Sequence, residues 1–275
     1  MPSTYAHYRM GQEVRRRIEG TPREIIEKYP QLYLIGLHGP DILFYYGALF
    51  SNSVNEIGYE LHKHSGQEFF QRAKEVILQK KHKEPYLAYI YGVLNHFALD
   101  VNCHGYVERK IQESGISHTE IEVEFDRMLM IHDRKDPIRQ NLTQHIVPSQ
   151  ENAVVIQCFY PGADAQQVMR ALKGMIRCNR LLIAPSKLKR NLIWTMLRIT
   201  GNYQEMQGLI VNYQANPFCK DSNQKLKNRY LTARTDAVSF IREFMEFVED
   251  KRSLGDIFRY SFGSVDPERG EMYEI

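Results

Sequence analysis

Residues 91–107 read YGVLNHFALDVNCHGYV, and this stretch decides how the chain is to be read. It continues an apolar pattern at helical spacing that opens at Pro85 and passes through Leu87, Ile90, Leu94 and Ala98 to about Val107. Proline is favoured in the first turn of a helix. His96, Asp100 and His104 recur every fourth residue within it. A helix turns once per 3.6 residues, so side chains at i, i+4 and i+8 stack along one face. The same helix is rich in Leu, Ala, Phe and Tyr, and aspartate is rarely buried unless paired or bound to metal. Imidazole nitrogen and carboxylate oxygen are ligand types that zinc accepts. The row therefore suggests a metal site with more than one ion; a hydrogen-bonded ladder on a half-exposed face is the plainer alternative.

Eight of the ten histidines fall within the first 118 residues. Downstream, Ser117 is placed to cap a helix, with Glu120 in the capping-box position. That helix carries His118 and Glu122, again one turn apart. Glu120, Glu124 and Asp126 lie beside them, and an acidic solvated face would read the same way. Upstream, His62 and His64 form an HxH pair. On a helix their side chains diverge by about 200°, so only one faces a site; on a strand both could. Asp41 follows Pro40 at the start of an element, a position suited to a fixed carboxylate or to an ordinary cap. His7 precedes the first helix. Cys103 adjoins His104, but helical neighbours diverge by about 100°, so it is not counted as a ligand.

The rest of the chain is also mainly helical in pattern. Gln12–Lys28 has a weak helical period, Gly36–Pro40 marks a turn, and Ile42–Phe50 is aromatic-rich. Glu56–Leu78 carries apolar residues at helical spacing, with a break expected at Ser65-Gly66. Asp164 and Gln167 form a capping box for a helix from Ala165 to about Ile183. Pro185-Ser186 separates this from Lys187–Thr200; residues 201–223 are irregular, and Lys225–Asp250 reads as a long amphipathic helix. Strand-like alternation is scarce. These signals predict an all-α, multi-helix bundle of roughly eight to ten helices. The expected organisation is a metal-ligand helical region (1–132), a turn-rich linker (133–150) and a helical part packed on the same domain (151–252). A polar, poorly ordered tail (253–275) is expected to follow.

Composition is that of an ordinary globular protein: 275 residues, 43% hydrophobic and 25% charged, with a net charge of +3 too small to imply nucleic acid by itself. The four cysteines form no CxxC pair. The N-terminus lacks an apolar signal core and no apolar run reaches the roughly 18–20 residues a bilayer span needs. The expectation is a cytoplasmic protein with reduced thiols. One feature stands apart from the histidines. No acidic residue occurs from Ala165 to Gln204, and Arg170, Lys173, Arg177 and Arg180 form one helical stripe. Such a helix can lie on anionic lipid or attract an anionic substrate; a solvated face is the plainer reading.

The ordered stretches AHYRMGQEV (His7), GLHGPDILFYY (Asp41), GYELHKHSGQEFF (His62), YGVLNHFALDVNCHGYV (His96, Asp100, His104) and SHTEIEVEFDR (His118, Glu122) resemble the zinc-dependent phospholipase C family. The chain looks closest to the smaller intracellular-type relatives. The resemblance covers roughly the first 130 residues. It implies the all-α fold of the phospholipase C and single-strand nuclease type, with two to three Zn2+ ions in a cleft. By matching motif, Asp41, His62, His96 and Asp100 would hold one ion. Asp100 would bridge to a second ion shared with His7, and His104, His118 and Glu122 would hold the third. His38 and His64 have no matching role. Secreted members also use their processed first residue as a ligand; here the start is Met1, or Pro2, only a few residues before His7, a departure that would leave the ion at His7 with a water instead or weakly held. The implied activity is phosphodiester hydrolysis by metal-activated water, with Asp41 as candidate general base and a phospholipid or related phosphodiester as substrate. Single-strand nuclease-like or small-molecule phosphodiesterase activity on the same scaffold, or a non-catalytic metal-stabilised binding protein, are the alternatives. Asp126 or Glu120 could orient the histidines, and Tyr45, Tyr46 or Tyr106 could line the cleft.

Overall fold

The computed structural model describes residues 4–273. The α-helices in chain order are α1 (Thr4–Arg15), α2 (Thr21–Lys28), α3 (Pro30–Gly36), α4 (Ser53–Leu61), α5 (Gly66–Leu78), α6 (Glu84–Ser114), α7 (His118–His132), α8 (Gln150–Ile156), α9 (Ala165–Leu182), α10 (Lys187–Ile199), α11 (Tyr203–Met206) and α12 (Lys220–Val248). Among the described residues there is no strand, only the isolated bridges Ser65–Ser261 and Val265–Met272. The fold is all-α, as the hydrophobic periodicity predicts. The helices outnumber the expected eight to ten because α3, α8 and α11, at seven residues or fewer, are too short to display a period.

The axis of the molecule is α6, whose 31 residues span about 46 Å. Pro85 lies in its first turn, and Gly115 ends it at φ 69°, the left-handed conformation that only glycine adopts without strain. From Ala88 to Val107 almost every side chain is buried. A helix buried all round must be covered on every side, here chiefly by α12, α3, α2 and α1. α3 approaches most closely. Gly36 and Gly92 face each other, and a Cβ on either would run into the other helix's backbone.

Two sequence signals act as expected at helix starts. Ser65 caps α5 by accepting from the Glu68 N–H at 3.2 Å, breaking α4 from α5. Asp164 and Gln167 form the reciprocal capping box of α9. Ser117 caps α7, but Glu120 does not complete the box; its carboxylate accepts from Asn212 and Asn216 side chains instead.

The expectation of a poorly ordered tail is overturned. Phe258 and Phe262 are fully buried, against Phe70 and Phe97 among others. The Ser264 hydroxyl hydrogen-bonds the carbonyls of Asp100 and Val101 on α6, at 2.9 and 3.0 Å. The Gly66 N–H donates to Tyr260 O at 2.8 Å. Two aromatic anchors hold an otherwise polar segment, because burying each phenyl ring is worth about 1.5–3 kcal/mol. No helix among the described residues is long and apolar enough to cross a membrane.

Candidate metal centre

Five elements bring the eight candidate residues together. α1 carries His7, and its first turn is held by α7: the N–H groups of Tyr5 and Ala6 donate to the two Asp126 oxygens, each at 2.8 Å. A second clamp lies one turn on, where Arg9 and the Tyr5 hydroxyl both donate to Asp133. Asp41 sits in a 3-10 turn, residues Gly39–Tyr45, whose Pro40 restricts the backbone. Gly39, at φ 47°, lies against the His96 ring, where a side chain would collide with the imidazole. His62 is the residue that ends α4. His96, Asp100 and His104 line one face of α6, and His118 and Glu122 occupy the first turns of α7.

His7 Nε2 lies 3.2 Å from Asp100 Oδ1, and His96 Nε2 lies 3.0 Å from Asp100 Oδ2. His62 Nε2 is 3.1 Å from Asp41 Oδ1. The rings of His7 and His96 stack with centroids 4.3 Å apart. Further along α6, His104 Nε2 and His118 Nε2 approach the same oxygen, Glu122 Oε1, at 3.3 and 3.2 Å. The groups able to converge on a single ion are His7–His96–Asp100, Asp41–His62–His96 and His104–His118–Glu122. All eight residues picked from the sequence are therefore gathered, and His64 is excluded: it is exposed and pairs with Glu68. Cys103 belongs to none of the three groups. Met1 and Pro2, where the chain is expected to depart from the secreted members, lie outside the described residues.

The second hydrogen bonds of these histidines fix where their protons are. His62 Nδ1 lies 2.7 Å from Gly58 O, and His104 Nδ1 lies 2.7 Å from Phe262 O. A carbonyl only accepts, so both rings carry hydrogen on Nδ1 and turn Nε2 toward a carboxylate. Two lone pairs at such distances repel unless a cation or a second proton stands between them. His118 Nδ1 faces Glu108 Oε1 at 3.2 Å, the carboxylate–histidine arrangement common behind metal ligands. Several converging atoms, His62 Nε2, His96 Nε2, Asp100 Oδ2, His118 Nε2 and Glu122 Oε2, are buried without a hydrogen-bond partner among the described residues. Ligands about 2.0–2.1 Å from a tetrahedral zinc ion stand about 3.3 Å from one another. The residues present fit such an ion in donor type, spacing and orphaned atoms.

The electrostatics agree. Burial alone would raise the three carboxyl groups, yet all are held below the usual carboxylate range. His96 and His62 do this for Asp41, His96 and His104 for Asp100, and His118 and His104 for Glu122. Burial opposes charging of His118, but Glu122 and Glu108 push it up to about 9. At His118 a proton would then occupy the position that a cation would take. His62 and His118 are the most exposed of the set, with side chains 16% and 29% accessible. The site opens on their side.

Sequence reasoning misassigned the supporting residues. Asp126 holds the start of α1 and Glu120 holds the Asn212–Asn216 segment; neither touches a candidate ligand histidine. The supports are Glu108 and the carbonyls of Gly58 and Phe262. A second histidine pair went unnoticed: His38 Nε2 meets His145 Nε2 at 2.7 Å, and His145 stacks on Tyr8. Burial keeps both rings neutral, with His145 lowered to about 4. Tyr106 lies away from the centre, beneath Lys225 and Arg229.

A family model described as zinc dependent phospholipase C matches residues 6–165, a span that contains all eight of these side chains. The chain belongs to the zinc-dependent phospholipase C family. No curated protein and no solved structure gives a match. Membership supplies the element as well as the fold: the family is zinc-dependent, and the buried His/Asp groups can hold metal ions. The matched region ends at the first residue of α9, so the helices from α9 onward and the buried C-terminal segment are described by this structure alone.

Proposed function

We propose that this phospholipase C-like protein hydrolyses a phospholipid, or a related phosphodiester, with Asp41, His62, His96 and Asp100 holding one zinc ion. In this reading Asp100 and His7 hold a second ion, and His104, His118 and Glu122 a third. The observation that carries it is the pair of Nδ1–H to carbonyl bonds at His62 and His104, which leave Nε2 lone pairs facing carboxylates. Zinc bound in such a cage supplies Lewis acidity, making water a nucleophile near neutral pH and offsetting phosphoryl charge.

The chain's own groups then divide the work. Asp41, the candidate general base, is held against His62, so one of its oxygens is suited to accept a hydrogen bond from water and orient it. Glu108 and the Gly58 and Phe262 carbonyls keep His118, His62 and His104 in one tautomer and one orientation. The buried walls of α6 keep bulk water from the back of the site, which strengthens every charge interaction in it.

The test is turnover by zinc-loaded protein of p-nitrophenylphosphorylcholine and of phosphatidylcholine, alongside metal content. The double variant His96→Ala, Asp100→Ala is the control. Zinc bound by the wild type and turnover absent in the control are expected. Bound zinc without turnover of either substrate above the control would leave a metal-stabilised binding protein.

A further inference from the structure

Helix α10 carries a face that the metal centre does not use. Leu188, Leu192 and Ile199 are 72%, 64% and 81% exposed. With Thr195 they span about 60° of arc, since residues at i, i+4, i+7 and i+11 share one side of a helix. The opposite side, Arg190, Ile193 and Leu197, is buried. Phe50, on a separate segment, is also 71% exposed. Its neighbour Leu49 packs on the small core formed by Ile193 and Leu197, and the Leu49 carbonyl accepts from Asn202 at 3.4 Å. One exposed leucine is unremarkable in any protein, but three large apolar side chains aligned on one helix face form a patch that calls for a partner.

The charge around this patch has one sign. The Arg170, Lys173, Arg177 and Arg180 stripe of α9 is exposed along its whole length, as are Lys187 and Arg198 on α10. None of these six cations pairs with a carboxylate among the described residues. No acidic residue occurs between Ala165 and Gln204. The two helices meet at a tight corner, where the Lys189 ammonium donates to the Ile183 carbonyl. A second copy of the chain would set this basic surface against itself. A bilayer with anionic headgroups accommodates both features, apolar side chains at the acyl boundary and cations among the phosphates. The surface is also tied to the metal centre. The segment after α10 closes on the start of α7, where Thr119, next to His118, donates to Glu205 O at 2.9 Å.

We propose that the outer face of α10, with the basic stripe of α9, docks this protein peripherally on an anionic lipid bilayer. The inference deepens the phospholipase C-like reading by naming the surface on which substrate is met, and rests on that reading for its purpose, not for binding itself. Leu188, Leu192 and Ile199 supply apolar insertion, and the six cations supply attraction that salt weakens.

The test is co-sedimentation of zinc-loaded protein with vesicles of phosphatidylcholine alone and of phosphatidylcholine mixed with phosphatidylglycerol. Wild type is compared with the triple variant Leu188→Ser, Leu192→Ser, Ile199→Ser, and turnover of soluble p-nitrophenylphosphorylcholine is followed in parallel. Wild type pellets with the anionic vesicles and is released by salt; the variant partitions at least about tenfold less and keeps its soluble turnover. Absence of wild-type binding, equal binding to neutral vesicles, or undiminished binding of a folded variant overturns the proposal. So does a dimer in size-exclusion chromatography that the variant abolishes without any vesicle binding. Binding without turnover of any phosphodiester would sink the hydrolase reading and leave the docking surface standing.

Discussion

The imidazole of His104 donates its Nδ1–H to the main-chain carbonyl of Phe262, 158 residues further along the chain, at 2.7 Å. The bond joins the centre of α6 to the C-terminal segment, and Phe262 is held there by its own ring, wholly buried among Phe69, Phe70 and Phe97. The C-terminal segment therefore helps to build the candidate metal centre. Phe262→Ala should destabilise the protein by about 3–5 kcal/mol, the usual cost of emptying a buried phenyl site. It should also loosen the zinc at His104, His118 and Glu122 more than the others. Urea midpoints and zinc stoichiometry under graded chelator check both parts; a destabilised variant retaining all its zinc at wild-type affinity would separate the ring from the site.

Glu108 stands behind His118 as Phe262 O stands behind His104. Replacing it with glutamine keeps the shape but removes the charge that holds the imidazole proton in place. Glu108→Gln should weaken the zinc at His104, His118 and Glu122 by about 10–100-fold, with stability little changed, because that carboxylate is partly exposed. Competitive titration with a zinc chelator is the measurement. Unchanged affinity would reduce Glu108 to a surface ion pair.

The sequence and the folded chain agree best where the signal is local. The four-residue step of His96, Asp100 and His104 needs only helical geometry, and the caps at Ser65, Ser117 and Asp164 need only neighbouring N–H groups. Choosing His62 over His64 could not be made locally. It depends on α4 stopping at Leu61, so that His62 folds back on Gly58 while His64 turns outward to Glu68. The supports of the site were illegible for a different reason. A backbone carbonyl carries no residue signature, and the Phe262 contact is made only once the whole bundle is assembled. The same holds for the C-terminal segment, where two phenylalanines among polar residues show no period and their burial depends on distant rings. Asp126 was visible as a carboxylate near the ligands, but its partners, the Tyr5 and Ala6 N–H groups, lie about 120 residues away.

In metal-free protein, stability should peak in mildly acid solution. His118 is raised from 6.5 to about 9, so the stability it contributes is fully present below about pH 6.5 and is lost as pH rises through 9. Asp41, Asp100 and Glu122 are depressed, so their contribution is present above the ordinary carboxylate range and is lost as pH falls. Zinc at the proposed site would replace the proton on His118, so the alkaline loss should vanish in the loaded protein while the acid loss remains and steepens as ligands protonate. Thermal midpoints across pH, with and without chelator, give both curves. Parallel curves with and without zinc would mean that no ion sits at His118.

Asp126 tests whether the site depends on the placing of α1. Its carboxylate receives the first free N–H groups of that helix, at 2.8 Å each, and burial pushes the carboxyl up even though both bonds favour its charge. Asp126→Ala removes the cap, leaves two N–H groups unpaired and should cost about 1–2 kcal/mol. His7 lies two residues beyond Tyr5, so its ring should lose register with Asp100 while the other seven side chains, on separate elements, keep theirs. The expected outcome is selective weakening of the ion shared by His7 and Asp100, with the His104–His118–Glu122 group unaffected. Anomalous scattering at the zinc edge from crystals of the variant would resolve the ions individually. Uniform loss of all zinc would show that Asp126 supports the bundle as a whole and not the position of His7.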